Sequence, residues 1–151
     1  MKASKKSIEQ FLEPKKMVLA GVSRNPKKFG YTAFKELRER GYEVIPVHPE
    51  AESIDGVACY RTLSQVPSSF RHVVTMVPKE VTAKVVEEAV SCGFDNIWIQ
   101  QMSETQEAVE FARSKNVNLV TGTCILLHSD PVKGFHKIHL LLLKIFGGMP
   151  K

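Results

Sequence analysis

Apolar and polar positions along this chain fall into short apolar runs separated by longer mixed stretches. Met17-Val18-Leu19-Ala20-Gly21, Glu43 to Val47, His72 to Val77, Asn96 to Gln100 and Val117 to Thr121 have the character of buried strands. The stretches between them carry helical spacing. Gly30 to Arg40 predicts a helix with Ala33, Phe34 and Leu37 on one face and Gly41 as its stop. Pro78 ends the third strand, and Lys79 to Cys92 predicts a second helix on a stripe of Val81, Val85, Ala89 and Cys92, with Gly93 following. Ser103-Glu104-Thr105-Gln106 has the pattern of a capping box opening a third helix through Lys115. A long irregular piece separates the second and third strands and holds a minor strand at Val57 to Tyr60. No repeat, linker or shift in composition divides the chain, so residues 1–151 are expected to form one domain.

Strands alternating with helical stretches of this length indicate βαβ units and a mainly parallel sheet. Right-handed crossovers then favour an α/β fold of three layers, doubly wound and Rossmann-like. Ligands of such sheets bind outside the carboxyl ends of the strands, near the point where strand order reverses. The loops to inspect are therefore Val22–Phe29, His48–Ala51, Pro78–Lys79, Gln100–Met102 and Gly122–His128.

Composition adds exclusions. With 151 residues, 43% hydrophobic and 25% charged, the chain has the balance of an ordinary globular domain. Three cysteines, Cys59, Cys92 and Cys124, are an odd number at unrelated spacings, which argues for reduced thiols over a disulfide framework or a zinc ribbon. The basic N-terminus leads into Ile8-Glu9-Gln10-Phe11 without the apolar run of a signal peptide, and the apolar stretch Leu140 to Leu143 is too short for a bilayer. A cytoplasmic protein without a transmembrane segment is expected. The net charge of +5 permits an anionic partner without choosing one. The few aromatics lie mostly in apolar runs, so no stacking platform for nucleic acid is visible and no nucleic-acid partner is expected.

The first strand-to-helix loop carries the chemistry. Gly21 lets the backbone turn tightly, Ser23 offers a hydroxyl, and the following helix presents unpaired amides and the positive end of its dipole. Arg24, Lys27 and Lys28 place three cations within five residues around Asn25-Pro26. Together these suit a pyrophosphate; the competing reading is a solvated Asn-Pro turn with surface lysines. The dinucleotide fingerprint is absent, because Ser23 replaces the second glycine and lysine-rich sequence the third. The second strand ends Pro46-Val47-His48-Pro49, with Glu50 late, where an NAD site would want its acid. Both departures count against NAD. A ligand with an extra phosphate on its ribose matches the basic loop better.

Gly21-Val22-Ser23-Arg24-Asn25-Pro26, Gly41-Tyr42-Glu43-Val44-Ile45-Pro46-Val47-His48-Pro49 and Trp98-Ile99-Gln100 resemble the small CoA-binding proteins with a Rossmann-like fold. These are related to the CoA-binding domain of the succinyl-CoA synthetase alpha subunit. Order and spacing agree from roughly Ile8 to Leu127. The resemblance implies that Gly21, Val22, Ser23, Arg24, Asn25, Lys27 and Lys28 surround the phosphates of coenzyme A. It further implies that Val47, His48, Pro49, Val77 and Pro78 border the adenosine end, and that Gln100 lies near the pantetheine path. His48 stands where such proteins often have Asn, and Thr75-Met76-Val77-Pro78 looks closer to the synthetase subunit than to many free-standing relatives. The synthetase domain that carries a phosphorylated histidine is not matched. The expectation is thus binding of CoA or an acyl-CoA by a non-catalytic or accessory protein.

The alternative is a nucleotide- or CoA-dependent enzyme, either an oxidoreductase or one using the Cys124 thiol at the ligand edge; buried packing is the competing role for that cysteine. His128-Ser129-Asp130 offers triad residue types, but adjacent loop residues rarely face one another and no nucleophile elbow is present. His72 opens a strand, Glu87-Glu88 reads as a solvated pair, and His136 with His139 lacks a third metal ligand. No metal site is expected. Residues 133–147 predict a C-terminal amphipathic helix with Phe135, Ile138, Leu142 and Ile145 on one stripe. Packing on its own domain, a homodimer or protein contact, and a membrane surface compete for its apolar side.

Overall fold

The computed structural model describes residues 3–130. The expected C-terminal helix and the pair His136 and His139 lie outside them. Five strands form one parallel sheet: β1 (Lys16–Ala20), β2 (Glu43–Val47), β5 (His72–Thr75), β6 (Asn96–Ile99) and β7 (Asn118–Val120). Their order is β2-β1-β5-β6-β7, so the chain winds outward from β1 in one direction and then, after β2, in the other. The two short strands β3 (Ser53–Ile54) and β4 (Val57–Ala58) make an antiparallel hairpin after β2. An isolated bridge from Val47 to Tyr60 completes the minor strand that the pattern suggested.

Strand alternation builds the layers. Met17 and Leu19 point to one face of β1 and join Val74 and Trp98, whereas Val18 and Ala20 point to the other and join Val73, Ile97 and Ile99. The first face is covered by α1 (Lys5–Leu12), α2 (Phe29–Glu39) and the segment through the 3-10 turn Ile125–Leu127. The second is covered by α3 (Lys79–Ser91) and α4 (Gln106–Ser114). The α/β, doubly wound, Rossmann-like expectation is met.

Three local readings need correction. The buried line of α3 is Thr82, Val86 and Ala89; of the expected stripe Ala89 is buried and Val85 half-buried, while Val81 and Cys92 are exposed. Thr82 is drawn inward because its hydroxyl donates to Ser103 O at 2.8 Å. The capping box does not form. Thr105 caps α4 by accepting from Ala108 N–H at 3.1 Å, while the Ser103 hydroxyl donates to Val77 O at 3.0 Å. Finally, α1 was not read from the pattern. Ser4 caps it by accepting from Ser7 N–H, and it buries Phe11 and Leu12. Among the described residues, no helix is long and apolar enough to cross a membrane.

Candidate functional site

The reversal of strand order lies between β1 and β5, and the loops leaving these strands meet there. Met76 N–H donates to Ala20 O at 2.8 Å, carrying the pairing one residue past the strand end. Gly21 follows with φ +103°, and a Cβ at this position would stand 2.5 Å from Met76 O. No side chain fits such an approach. A second glycine completes the junction. Gly30 lies in the first turn of α2, and a Cβ there would lie 2.5 Å from Gly21 O and 3.3 Å from Ser23 N. The helix start is therefore pressed directly onto the β1 loop. This is the work of the third glycine in a dinucleotide fingerprint, done here by a residue farther along the chain. Reading the lysine-rich segment as replacing that glycine missed it, although a Gly at the start of the helix was the available signal.

Between the two glycines the loop is organised by its own side chains. Asn25 N–H donates to Ser23 Oγ at 3.0 Å, Lys27 N–H donates to Asn25 Oδ1 at 2.9 Å, and Lys28 N–H donates to Asn25 O at 3.0 Å. These consecutive turns shape the stretch from Ser23 to Lys28, between Val22 and Phe29, which reach the core. The Ser23 hydroxyl acts in them as acceptor, which leaves its proton for another group. Val22 is the exception in direction, since its side chain is buried and only its backbone can face a ligand. Lys28 occupies the N-cap of α2 with no side-chain capping bond. Lys27 and Lys28 are exposed, and neither enters an ion pair among the described residues.

Across the gap stands the end of β2. Arg24 approaches Glu50 at 3.8 Å, both side chains being more than half exposed. Such a pair contributes little stability, but it links the β1 loop to the segment after β2. The backbone N–H groups of Glu50 and Ala51 donate to His48 Nδ1 at 3.0 and 2.9 Å. His48 thereby forms the turn that an Asn side chain would form by accepting amides further along its own backbone. Burial, reinforced by Arg24, holds its pKa below the usual histidine value, which favours the neutral ring that this acceptor role needs. Pro49 and Pro78 are exposed, and Val77 is half-buried; Val47 is buried, with its side chain in the core of the α3/α4 face.

The β6 and β7 ends differ. Gln100 is buried, and its Oε1 accepts from Ile125 N–H at 3.1 Å, which ties the strand end to the 3-10 turn. Trp98 Nε1–H donates to Thr123 O at 3.3 Å. Cys124 is 2% exposed, and burial pushes its thiol above the ordinary value. The segment beyond it is held by Arg40, fully buried at the end of α2. Its Nη1 donates to Leu126 O, Ser129 O and Ser129 Oγ at 2.7–2.8 Å, and its Nε donates to Glu36 Oε1 at 3.2 Å. The Ser129 hydroxyl is thus taken up by Arg40, while His128 Nε2 lies 2.9 Å from Thr123 Oγ1. Those contacts give the His128-Ser129-Asp130 run structural partners in place of one another. His72 packs its ring edge-on to Phe11 at 5.3 Å, and Glu87 and Glu88 are exposed.

The edge thus joins a tight glycine junction, an uncapped helix start and a set of exposed cations. This geometry suits the phosphates of an extended anionic ligand. A family profile described as a CoA binding domain matches residues 15–130. The alpha subunit of an ADP-forming acetate–CoA ligase II from Pyrococcus furiosus is 26% identical over 129 residues, covering 78% of this chain and 28% of that protein. YneT of Bacillus subtilis, described as uncharacterized, is 26% identical over 123 residues, covering 81% of this chain and 91% of its own. A conserved hypothetical protein from Pyrococcus furiosus has a solved structure similar at a TM-score of 0.70 and 37% identity, covering 73% of this chain and 95% of that one. The chain spans less than a third of the length of the ligase chains it matches.

Proposed function

The chain belongs to the CoA-binding domain family, and from that premise we propose that it binds coenzyme A or an acyl-CoA at the β1, β2 and β5 ends as a non-catalytic or accessory protein. The observation that carries this reading is the Gly21–Gly30 junction, which brings the start of α2 onto the β1 loop. Backbone amides of Val22 and Ser23 and the first turn of α2 would meet the pyrophosphate, with the Ser23 hydroxyl as a further donor. Arg24, Lys27 and Lys28 would meet the remaining phosphate charge, including the 3′-phosphate. Asn25 shapes the loop through its turns, and Val47, His48, Pro49, Val77 and Pro78 would border the adenosine. Gln100 would act beneath the pantetheine path by holding the strand end in place. An accessory role is favoured over thiol chemistry because Cys124 is buried and its thiolate disfavoured.

Titration calorimetry with CoA, dephospho-CoA and NAD in parallel tests the reading. Wild-type protein should bind CoA more tightly than dephospho-CoA and leave NAD silent. Replacing Lys27 and Lys28 together with Ala should weaken CoA about tenfold, the scale of two exposed charge contacts, and dephospho-CoA much less. Equal losses for both ligands would remove the lysines from the 3′-phosphate, and folded protein that binds no CoA would remove the function.

A further inference from the structure

Two large apolar side chains stand out into solvent among the described residues, Val81 at 39% exposure and Met102 at 74%. Both belong to the carboxyl edge of the sheet, Val81 in the first turn of α3 after β5 and Met102 in the loop after β6. The two segments are fastened together. The Ser103 hydroxyl donates to Val77 O at 3.0 Å, and the Thr82 hydroxyl donates to Ser103 O at 2.8 Å. Val81 and Met102 each sit one residue before the partners of that second bond. The loop is tied down on its far side as well, where Gln101 N–H donates to Thr123 O at 3.2 Å.

Met102 holds φ +77°, a left-handed backbone that disfavours any side chain. Ser103 N–H donates to Gln100 O at 2.9 Å and closes the turn that imposes it. Glycine would relax this position. Instead it carries an unbranched, polarizable side chain, of the kind that adapts to apolar ligands of varied shape. Strain of this sort, together with an exposed apolar group at the binding edge, points to a ligand. Two side chains offer far less area than a stable protein interface requires, and so fit a small apolar group.

We propose that Met102 and Val81 form the seat for an apolar acyl chain, making the ligand a CoA thioester with several acyl carbons in preference to free CoA. This rests on the CoA reading above. A molecule anchored by its phosphates at Gly21–Lys28 would run its pantetheine arm along the sheet edge toward β6. Gln100 is buried there, and the exposed apolar residues toward that end are Met102 after β6 and Val81 in the first turn of α3, on segments joined by the Thr82–Ser103 bond. No bond is made or broken in this step. Selectivity comes from apolar surface removed from water.

Calorimetry with CoA, acetyl-CoA and hexanoyl-CoA decides it, using wild type and a Met102→Gly/Val81→Ser double variant checked for unchanged far-UV circular dichroism. Hexanoyl-CoA should bind the wild type roughly tenfold more tightly than CoA, with acetyl-CoA close to CoA. In the double variant that gain should fall below about twofold while the affinity for CoA itself holds. Equal affinity of the wild type for CoA and hexanoyl-CoA would overturn the acyl seat and leave CoA binding standing. A gain that survives in the double variant, or a parallel loss of CoA, would also overturn it. Wild type that binds none of the three would overturn the CoA reading and the acyl seat together. As a single change, Met102→Gly should leave the melting temperature unchanged or raise it, because it relieves the left-handed backbone.

Discussion

The carboxyl edge of this sheet is divided into two halves that treat their polar groups in opposite ways. At the β6 and β7 ends, Gln100 bonds to Ile125, Trp98 to Thr123, and Arg40 to Leu126 and Ser129, although Arg40 Nη2 and the buried Thr121 hydroxyl have no partner. At the β1 and β2 ends the loop satisfies itself through short turns and leaves Arg24, Lys27 and Lys28 exposed. One half is a continuation of the core; the other leaves its cations exposed at the edge where we propose the anion binds. The same fold supplies both, because strand order reverses between β1 and β5, the point at which such sheets form their crevice.

That contrast can be broken from either side. The largest effect is expected in the closed half. Arg40→Ala removes a buried cation that serves Leu126 O, Ser129 O and Glu36, and should lower unfolding stability in urea by about 3–4 kcal/mol. The CoA affinity of the folded fraction should stay within about twofold, the scatter expected of a change that touches no ligand contact. If affinity falls with stability, the two halves are not independent.

Next comes the glycine junction. Gly21→Ala places a Cβ against Met76 O and should lower stability by about 2–3 kcal/mol and abolish measurable CoA binding. Gly56→Ala is the control, since Gly56 also has positive φ but open space around it; about 1 kcal/mol and normal binding are expected. A smaller change sharpens the open half. Glu50→Gln releases Arg24 from its ion pair and should tighten CoA about two- to threefold at low salt, with the gain fading as salt is raised.

The smallest effect concerns pH. The folded state holds the His48 pKa low, so as pH falls from about 7 to about 5 the unfolded chain takes up this proton first and stability declines through that window. His48→Asn keeps an acceptor for the Glu50 and Ala51 amides without titrating, and its urea midpoint should decline less over the same range. Parallel declines would mean that other groups set the pH response.

Much of this was legible in the amino-acid pattern, and the failures have physical causes. Apolar runs bounded by Gly and Pro placed all five main strands, because buried parallel strands need little else. Helix α1 escaped notice because its apolar residues number few and follow Lys5-Lys6. The stripe of α3 differs in its first turn because a threonine with two carbonyls to meet, Pro78 O and Ser103 O, takes the interior place expected of Val81, while Ala89 is buried as expected. The loop Gly21–Lys28 was readable as a unit, since glycine, serine and cations coincide there. The placement of Gly30 against Gly21 was not, and neither was the burial of Gln100 or Arg40. Their partners lie far along the chain or depend on how a helix start is pressed onto a strand, and local spacing records neither.

The docking of α1 bears on how the chain comes to be folded during its synthesis. Asn118 Nδ2 donates to Ser7 O at 3.0 Å, and Phe11 packs edge-on against Trp98 at 5.4 Å. A helix made among the first residues therefore waits for strands made near the end of the described chain before its apolar side is covered. Contacts of such long range make for slow folding. Until β6 and β7 have emerged, Phe11 has His72 of β5 but not Trp98 to pack against, and the apolar side of α1 stays partly uncovered. A ribosome-release series should find the domain protease-resistant only after β7 has cleared the exit tunnel.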